Sequence, residues 1–362
     1  MIVEALIHLV KVLLVIGFVM NVAGLLTWVE RKQSAVMQDR IGANRADIFG
    51  FRLIGLFHPI ADGLKMITKE DFIPPGGNRL LHTMAPFIAF FPALIAFAII
   101  PFGDVLRVGG RIIPLQVVDF NVGVLYLLAV GGMSVYGVVL AGWSSNNKYS
   151  LLGGLRAAAQ LISYEITLGL SIIGVLMVFQ TLQLSEINRL QGELLFGFIP
   201  KWGVVVQPLA FLLFFTAAVA ESRRIPFDQP ESESEIIGYF TEYSGMKWGM
   251  FMFADFIETV TVAGVATSVF FGGWQVPYLF ADGFHFPWGS IVALPHLAVI
   301  LLQVASFVFK VLFFCWLLMT IRWTLPRFRY DQVMRLGWKY LLPLSLFNIL
   351  ATGVVILALQ AL

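Results

Sequence analysis

Between Glu221 and Tyr243 the chain places six carboxylates (Glu221, Asp228, Glu231, Glu233, Glu235 and Glu242) and two adjacent arginines, Arg223 and Arg224. Long apolar runs flank this stretch on both sides, and charge held so close to lipid-compatible sequence is costly enough to mark a function. More carboxylates fall inside the apolar runs. Glu165 follows Ser163-Tyr164, and Asp255 and Glu258 are spaced i, i+3, which puts both on one helix face. Any one such acid is as readily a structural group, paired with Lys or Arg. Four of them on consecutive runs (Glu165, Glu221, Asp255 and Glu258) beside an acid-rich loop point instead to a path for protons or cations.

Two further groups carry less on their own. Glu231, Glu233 and Glu235 alternate after Pro230, and a plain solvated loop would explain them. The apolar flanks Ile225-Pro226-Phe227 and Ile236-Ile237 better suit a loop packed against a partner or lining a cavity. Asp62 and Lys65, also spaced i, i+3, could form a simple ion pair, with Arg31 as an interfacial anchor whose stem lies along lipid.

The elements that must position these residues are membrane helices. Of 362 residues, 59% are hydrophobic and 13% charged, with mean hydropathy +0.85, too apolar for the surface of a soluble domain. Eight spans are expected, at 5–28, 84–102, 119–141, 160–180, 203–221, 246–272, 296–321 and 339–361, each near the 20 residues that about 30 Å of hydrocarbon requires. The expected fold is therefore all-α, a single polytopic membrane domain covering 1–362. Lys and Arg number 18 in the loops of one face (29–83, 142–159, 222–247 and 322–339) and four on the other (Arg107, Arg111, Arg189 and Lys201). The positive-inside rule puts the rich loops in the cytoplasm and both termini outside. Within the first of these loops, Ile60, Leu64 and Ile67 share one side of a helix predicted from Pro59 to Lys69, lying on the membrane surface.

Other chemistries are excluded. Cys315 is the only cysteine, whereas an iron–sulfur cluster takes about four thiolates. The five histidines (His8, His58, His82, His285 and His296) offer no pair on facing spans for haem, and most read as interfacial or loop residues. No nucleotide, flavin or metal motif is present, and no basic tract suits nucleic acid. The first apolar run carries Lys11 and Asn21 without a small-residue cleavage site, so no cleavable signal peptide is expected.

The segments ERKQSAVMQDRIGANR (30–45), HPIADGLKMITKED (58–71), AGWSSNNKYSLLGGLRAAAQLISYE (141–165), AESRRIPFDQPESESE (220–235) and EYSGMKW (242–248) together resemble the marker motifs of one family. It is the family of the H subunit of the proton-pumping NADH:quinone oxidoreductase, respiratory complex I, and the likeness covers nearly the whole chain. The resemblance implies a membrane subunit at the joint with the hydrophilic arm, in a bacterial inner membrane. It would form much of the quinone cavity through Arg31, Asp62, Lys65, Arg224, Glu231, Glu233 and Glu235. The proton path would begin at Glu165, Glu221, Asp255, Glu258 and Glu242. It also implies quinone as substrate, with FMN and iron–sulfur clusters held by partner subunits, and small membrane and antiporter-like subunits as neighbours. Asp255 stands where the family usually has Glu, and Gly131-Gly132 where some members carry an acid. Two rival readings are a related anchor of a ferredoxin- or F420H2-linked complex or group-4 hydrogenase, and a stand-alone ion-coupled transporter.

Overall fold

Where the surroundings are apolar, backbone N–H and C=O groups must satisfy one another, and long apolar runs therefore form helices. A computed structural model describes residues 2–195, 197–231 and 238–361. Glu233 and Glu235 lie outside the described residues.

The first helix, α1 (Ile2–Met37), is 36 residues long and overruns its expected span, carrying Glu30 and Arg31 beyond it. Helix α2 (His58–Thr68) is the expected surface helix, with Pro59 in its first turn and Ile60, Leu64 and Ile67 exposed. Helix α3 (Arg79–Ala96) starts under Asn78, whose side chain accepts from the N–H groups of Leu80 and Leu81. The run expected at 119–141 forms two helices, α4 (Gly123–Gly132) and α5 (Ser134–Ser144), meeting at Met133. Helix α6 (Lys148–Phe179) begins well before the expected 160, capped by Asn147. Lys148 and Arg156 lower the hydropathy of that first part without preventing it from being helical.

After the short α7 (Leu184–Leu190), the run expected at 203–221 is divided into α8 (Gly203–Val206) and α9 (Pro208–Glu221). Pro208 brings no N–H, so the helix restarts there, and Gln207 leaves helical geometry at φ −134°, ψ 62°. Its side chain is stitched to the last helix, donating to Thr352 at 2.8 Å and accepting from Asn348 at 3.2 Å. The remaining elements are α10 (Gly245–Phe270), α11 (His296–Thr324), α12 (Tyr330–Arg335), a π-helical turn (Leu336–Leu341) and α13 (Leu342–Ala361). Among the described residues seven helical stretches are long and apolar enough to cross a membrane, and α9 is a shorter apolar helix of 14 residues. The chain is an all-α, multi-pass membrane protein.

Three small antiparallel sheets decorate the connections: Val105–Val108 with Arg111–Pro114, Leu194–Leu195 with Ile199–Pro200, and a three-stranded sheet of Leu279–Phe280, Gly283–His285 and Ile291–Ala293. None was expected, although Val-Gly-Gly-Arg between β-branched residues is a two-residue hairpin signal. Gly109 and Gly110 both take the positive φ that such a turn needs.

Helix α10 is the buried centre, touching α1, α2, α3, α9 and α11. Where the other helices meet, small residues let the backbones approach, as dispersion-driven packing favours in lipid. A Cβ at Gly137 of α5 would lie 2.5 Å from the backbone nitrogen of Ala89 in α3, and one at Gly142 would lie 2.6 Å from the carbonyl oxygen of Ser150 in α6. Since rigid backbone blocks that position, Gly137→Ala is expected to destabilise the chain by about 1–3 kcal/mol. A lower midpoint in thermal unfolding of the detergent-solubilised protein would register the loss. Gly17→Ala, where an added Cβ meets nothing within 4 Å, should show none.

Candidate functional site

At the end of α9 the chain must turn, and it does so through Arg223 at φ +55°, the left-handed region that residues with a Cβ rarely enter. The result is that two consecutive guanidinium groups point to different helices. Arg223 reaches α10, where its Nη2 lies 2.6 Å from Asp255 Oδ1 and 2.7 Å from Glu258 Oε2. Arg224 reaches α1, with Nη1 3.1 Å from Glu30 Oε2, and its guanidinium lies 4.4 Å above the Phe256 ring. Glu30 is also held by Arg322 of α11 at 3.2 Å. Both adjacent arginines are buried, at 2% and 5% exposure, and such groups persist away from water only with carboxylate partners. Burial works against the Arg223 charge, yet Asp255 and Glu258 more than offset it and hold its pKa above the ordinary arginine value.

The i, i+3 pair of α10 therefore does share a face, and that face meets Arg223. On the other side of Glu258 lies a cavity of about 50 Å³ between α3, α4, the start of α5, α6, α9 and α10. That is room for a few waters, since each needs about 10–15 Å³ of such space. Glu221, Glu258, Ser134 and Thr261 supply its polar lining. Gly131 and Gly132 face the two remaining in-span acids. A Cβ on Gly131 would lie 3.5 Å from Glu221 Oε1, and one on Gly132 would lie 2.5 Å from Glu165 Oε1. Glu165, Glu221, Glu258 and Asp255 thus gather around one region.

Below this row, the loop after α9 holds Asp228 against Arg327 at 2.6 Å. Burial raises the pKa of Asp228 although Arg327 pulls it part of the way back, and burial raises that of Glu231 with the Asp228 and Asp255 charges adding to it. At the surface helix, Arg31 pairs with Asp62 at 2.6 Å, both partly exposed. Asp62 thus takes its partner from α1 rather than from Lys65, whose side chain is exposed. Helix α2 touches both α1 and α10, with Met66 against Gly249. Glu242 stands apart from the acid row and accepts from Asn147 at 2.7 Å.

Sequence reasoning gave Arg223 no role and passed over Glu30, Arg322 and the Asp228–Arg327 pair. The adjacency of two arginines directly after an apolar run was a usable signal, as was a glutamate beside Arg31. His82 also departs from the interfacial reading of the histidines: it is fully buried and stacked on Tyr243 with ring centroids 3.9 Å apart.

The family model described as NADH dehydrogenase matches residues 10–353. The chain is 45% identical over 332 residues to NADH-quinone oxidoreductase H subunit 1 of Cytophaga hutchinsonii, covering 91% of each chain. It is 45% identical over 348 residues to the protein of the same name from Geobacter metallireducens, covering 96% of this chain and 95% of the relative. The NADH-quinone oxidoreductase H subunit of Thermomicrobium roseum is 46% identical over 349 residues, covering 94% of each. The chain belongs to the NADH dehydrogenase family, in its H-subunit branch. The helices that carry the buried charges described above, α1, α6, α9, α10 and α11, fall largely or wholly within the matched range.

Glu30 is the common partner of two guanidinium groups, so Glu30→Gln should leave Arg224 and Arg322 facing each other without a counter-charge. A loss of about 3–5 kcal/mol is expected, the cost of breaking a buried pair. Thermal unfolding in detergent checks it against Asp331→Asn, whose exposed partner is Arg329 and whose effect should stay within about 0.5 kcal/mol.

Proposed function

We propose that this chain, as the H subunit of an NADH:quinone oxidoreductase, forms part of the quinone-binding cavity and the head of a proton path leading from it. The observation that carries the reading is the forked arginine pair. Arg224 ties to Glu30, the neighbour of Arg31, and Arg31 is paired with Asp62. Arg223 ties to the acids beside the cavity. One turn of chain therefore joins the α1–α2 surface to the acid row.

Reduction of a quinone to a quinol takes two electrons and two protons. The electrons come from a partner subunit of the hydrophilic arm, because a single cysteine does not fit an iron–sulfur cluster. FMN and the clusters belong to those partners, and small membrane and antiporter-like subunits complete the neighbourhood. In this chain Arg31 would meet the reduced, anionic headgroup, with Asp62 and Lys65 beside it. Glu231, together with Glu233 and Glu235 of the same loop, would relay replacement protons. Glu221, Glu165, Asp255 and Glu258 would take up the charge change and begin the path across the membrane. The charge asymmetry of the loops supports placing this end of the bundle in the cytoplasm of a bacterium, with both termini outside its inner membrane.

Asp62→Asn tests the cavity. Quinone reductase activity in membranes is expected to fall at least about tenfold, as loss of one charge-assisted contact does, while NADH oxidation by an artificial acceptor persists and the complex assembles. Normal quinone reduction in assembled complex would leave α2 as a mere anchor. Glu231→Gln tests the relay. A carboxyl with a raised pKa keeps its proton above the usual carboxylate range and loses it as pH rises further. Wild-type turnover should therefore decline on the alkaline side as Glu231 ionises. The Gln variant should be slower at neutral pH and lack that limb, and an unchanged pH–rate profile would place the proton donor elsewhere.

A further inference from the structure

We propose that Arg223 is a positioning residue for proton transfer, holding Asp255 and Glu258 as a one-proton store at the edge of the cavity shared with Glu221. This rests on the reading of the acid row as a proton path.

The argument begins with charge. A single nitrogen, Arg223 Nη2, serves both carboxylates, at 2.6 and 2.7 Å, so one cation meets two anions. With all three groups ionised the triad carries one net negative charge, and uptake of one proton makes it neutral. In a buried site that difference is large compared with the same change in water. Arg223 is therefore what makes the store hold one proton rather than two or none.

Geometry adds a route in and a means of adjustment. Glu258 lines the water-sized cavity together with Glu221, so a proton on Glu221 has a path of a few waters to the store. Two of the three guanidinium nitrogens, Nε and Nη1, are buried without a hydrogen-bond partner among the described residues. An arginine used at one nitrogen of three is not locked in a fork-to-fork geometry, and its backbone sits in the strained left-handed region. Its neighbour Arg224 is anchored to Glu30, so a shift on the α1 side is passed to Arg223 through one peptide unit.

The test measures protons translocated per NADH oxidised by the intact complex in sealed membrane vesicles, with assembly checked in the same preparation. Arg223→Gln makes the triad more negative by one, and Glu258→Gln makes it neutral with no proton to store. Arg223→Gln/Glu258→Gln restores the original net charge with Asp255 as the single acid. Each single variant should lower the ratio at least about twofold, the lower end of what altering a coupled charge does, and the double variant should recover most of it. Arg223→Lys, which keeps the charge, should stay near wild type. A structural arginine gives the opposite pattern, because the double variant loses every contact and pumps no better than the worse single one; that result overturns the proposal. If Arg223→Gln fails to assemble, the comparison of the double variant with Glu258→Gln decides in the same way. Glu221→Gln separates the two readings: if it pumps normally, the proton path itself is wrong, whereas if it pumps poorly and Arg223→Gln pumps normally, only the store is.

Discussion

A guanidinium group removed from water has to be met by a carboxylate, and two adjacent ones that follow an apolar helix have to be met in two directions. Much of the structure follows from that demand. Arg223 and Arg224 are buried beneath the bundle, and the backbone between them has to aim them at acids on different helices. The left-handed φ of Arg223 does so, and it fixes which helices must come close: α10 to present Asp255 and Glu258, and α1 to present Glu30. Arg322 of α11 then shares Glu30, closing a charge network over three helices. Such a network is weak testimony for stability, since apolar packing of similar volume does as well. What it does is tie α1, α10 and α11 to a single turn of chain.

The length of α1 makes sense in the same terms. At 36 residues and about 1.5 Å each it spans roughly 54 Å, well beyond the hydrocarbon thickness. The surplus carries Glu30 inward to Arg224 and Arg31 outward to Asp62 on α2. Consecutive residues on a helix face about 100° apart, so adjacent side chains can serve a buried and a half-exposed partner at once. The same helix that crosses the membrane thus connects its surface to its interior charges.

How much of this is legible in the sequence depends on whether a feature is local. The surface helix was readable to within one residue, because Pro59 and the spacing of Ile60, Leu64 and Ile67 are local signals. The shared face of Asp255 and Glu258 was readable for the same reason, being a property of helical period alone. The partner of Asp62 was not. Its spacing to Lys65 suits an ion pair, but an exposed pair of that kind is worth little, and Arg31 on α1 wins the carboxylate. The division of the fifth run at Gln207 was signalled only by Pro208, inside a run whose hydropathy argued for continuity. The fork itself was beyond reach, since it turns on the φ of one residue that no periodicity reports.

The cavity shows how an apolar bundle can keep a place for water without adding many polar groups. Among the described residues Ser134, Thr261 and the two glutamates supply its polar lining, and the rest is apolar side chains such as Leu127, Leu128, Phe214 and Val265 together with Gly131. The space around the acids comes instead from atoms that are missing. Gly131 and Gly132 lie within α4, in helical conformation, so their value here is not backbone freedom. A single methyl at Gly132 would press on Glu165 at 2.5 Å, and one at Gly131 would reach van der Waals distance of Glu221. Two absent side chains thus let two carboxylates sit against a packed helix with room between them. Beyond Met133, α5 closes on α3 at Gly137, although its first residue, Ser134, still lines the cavity. Close packing at Gly137 and open space beside Gly131 and Gly132 are thus both set by where the chain omits a Cβ.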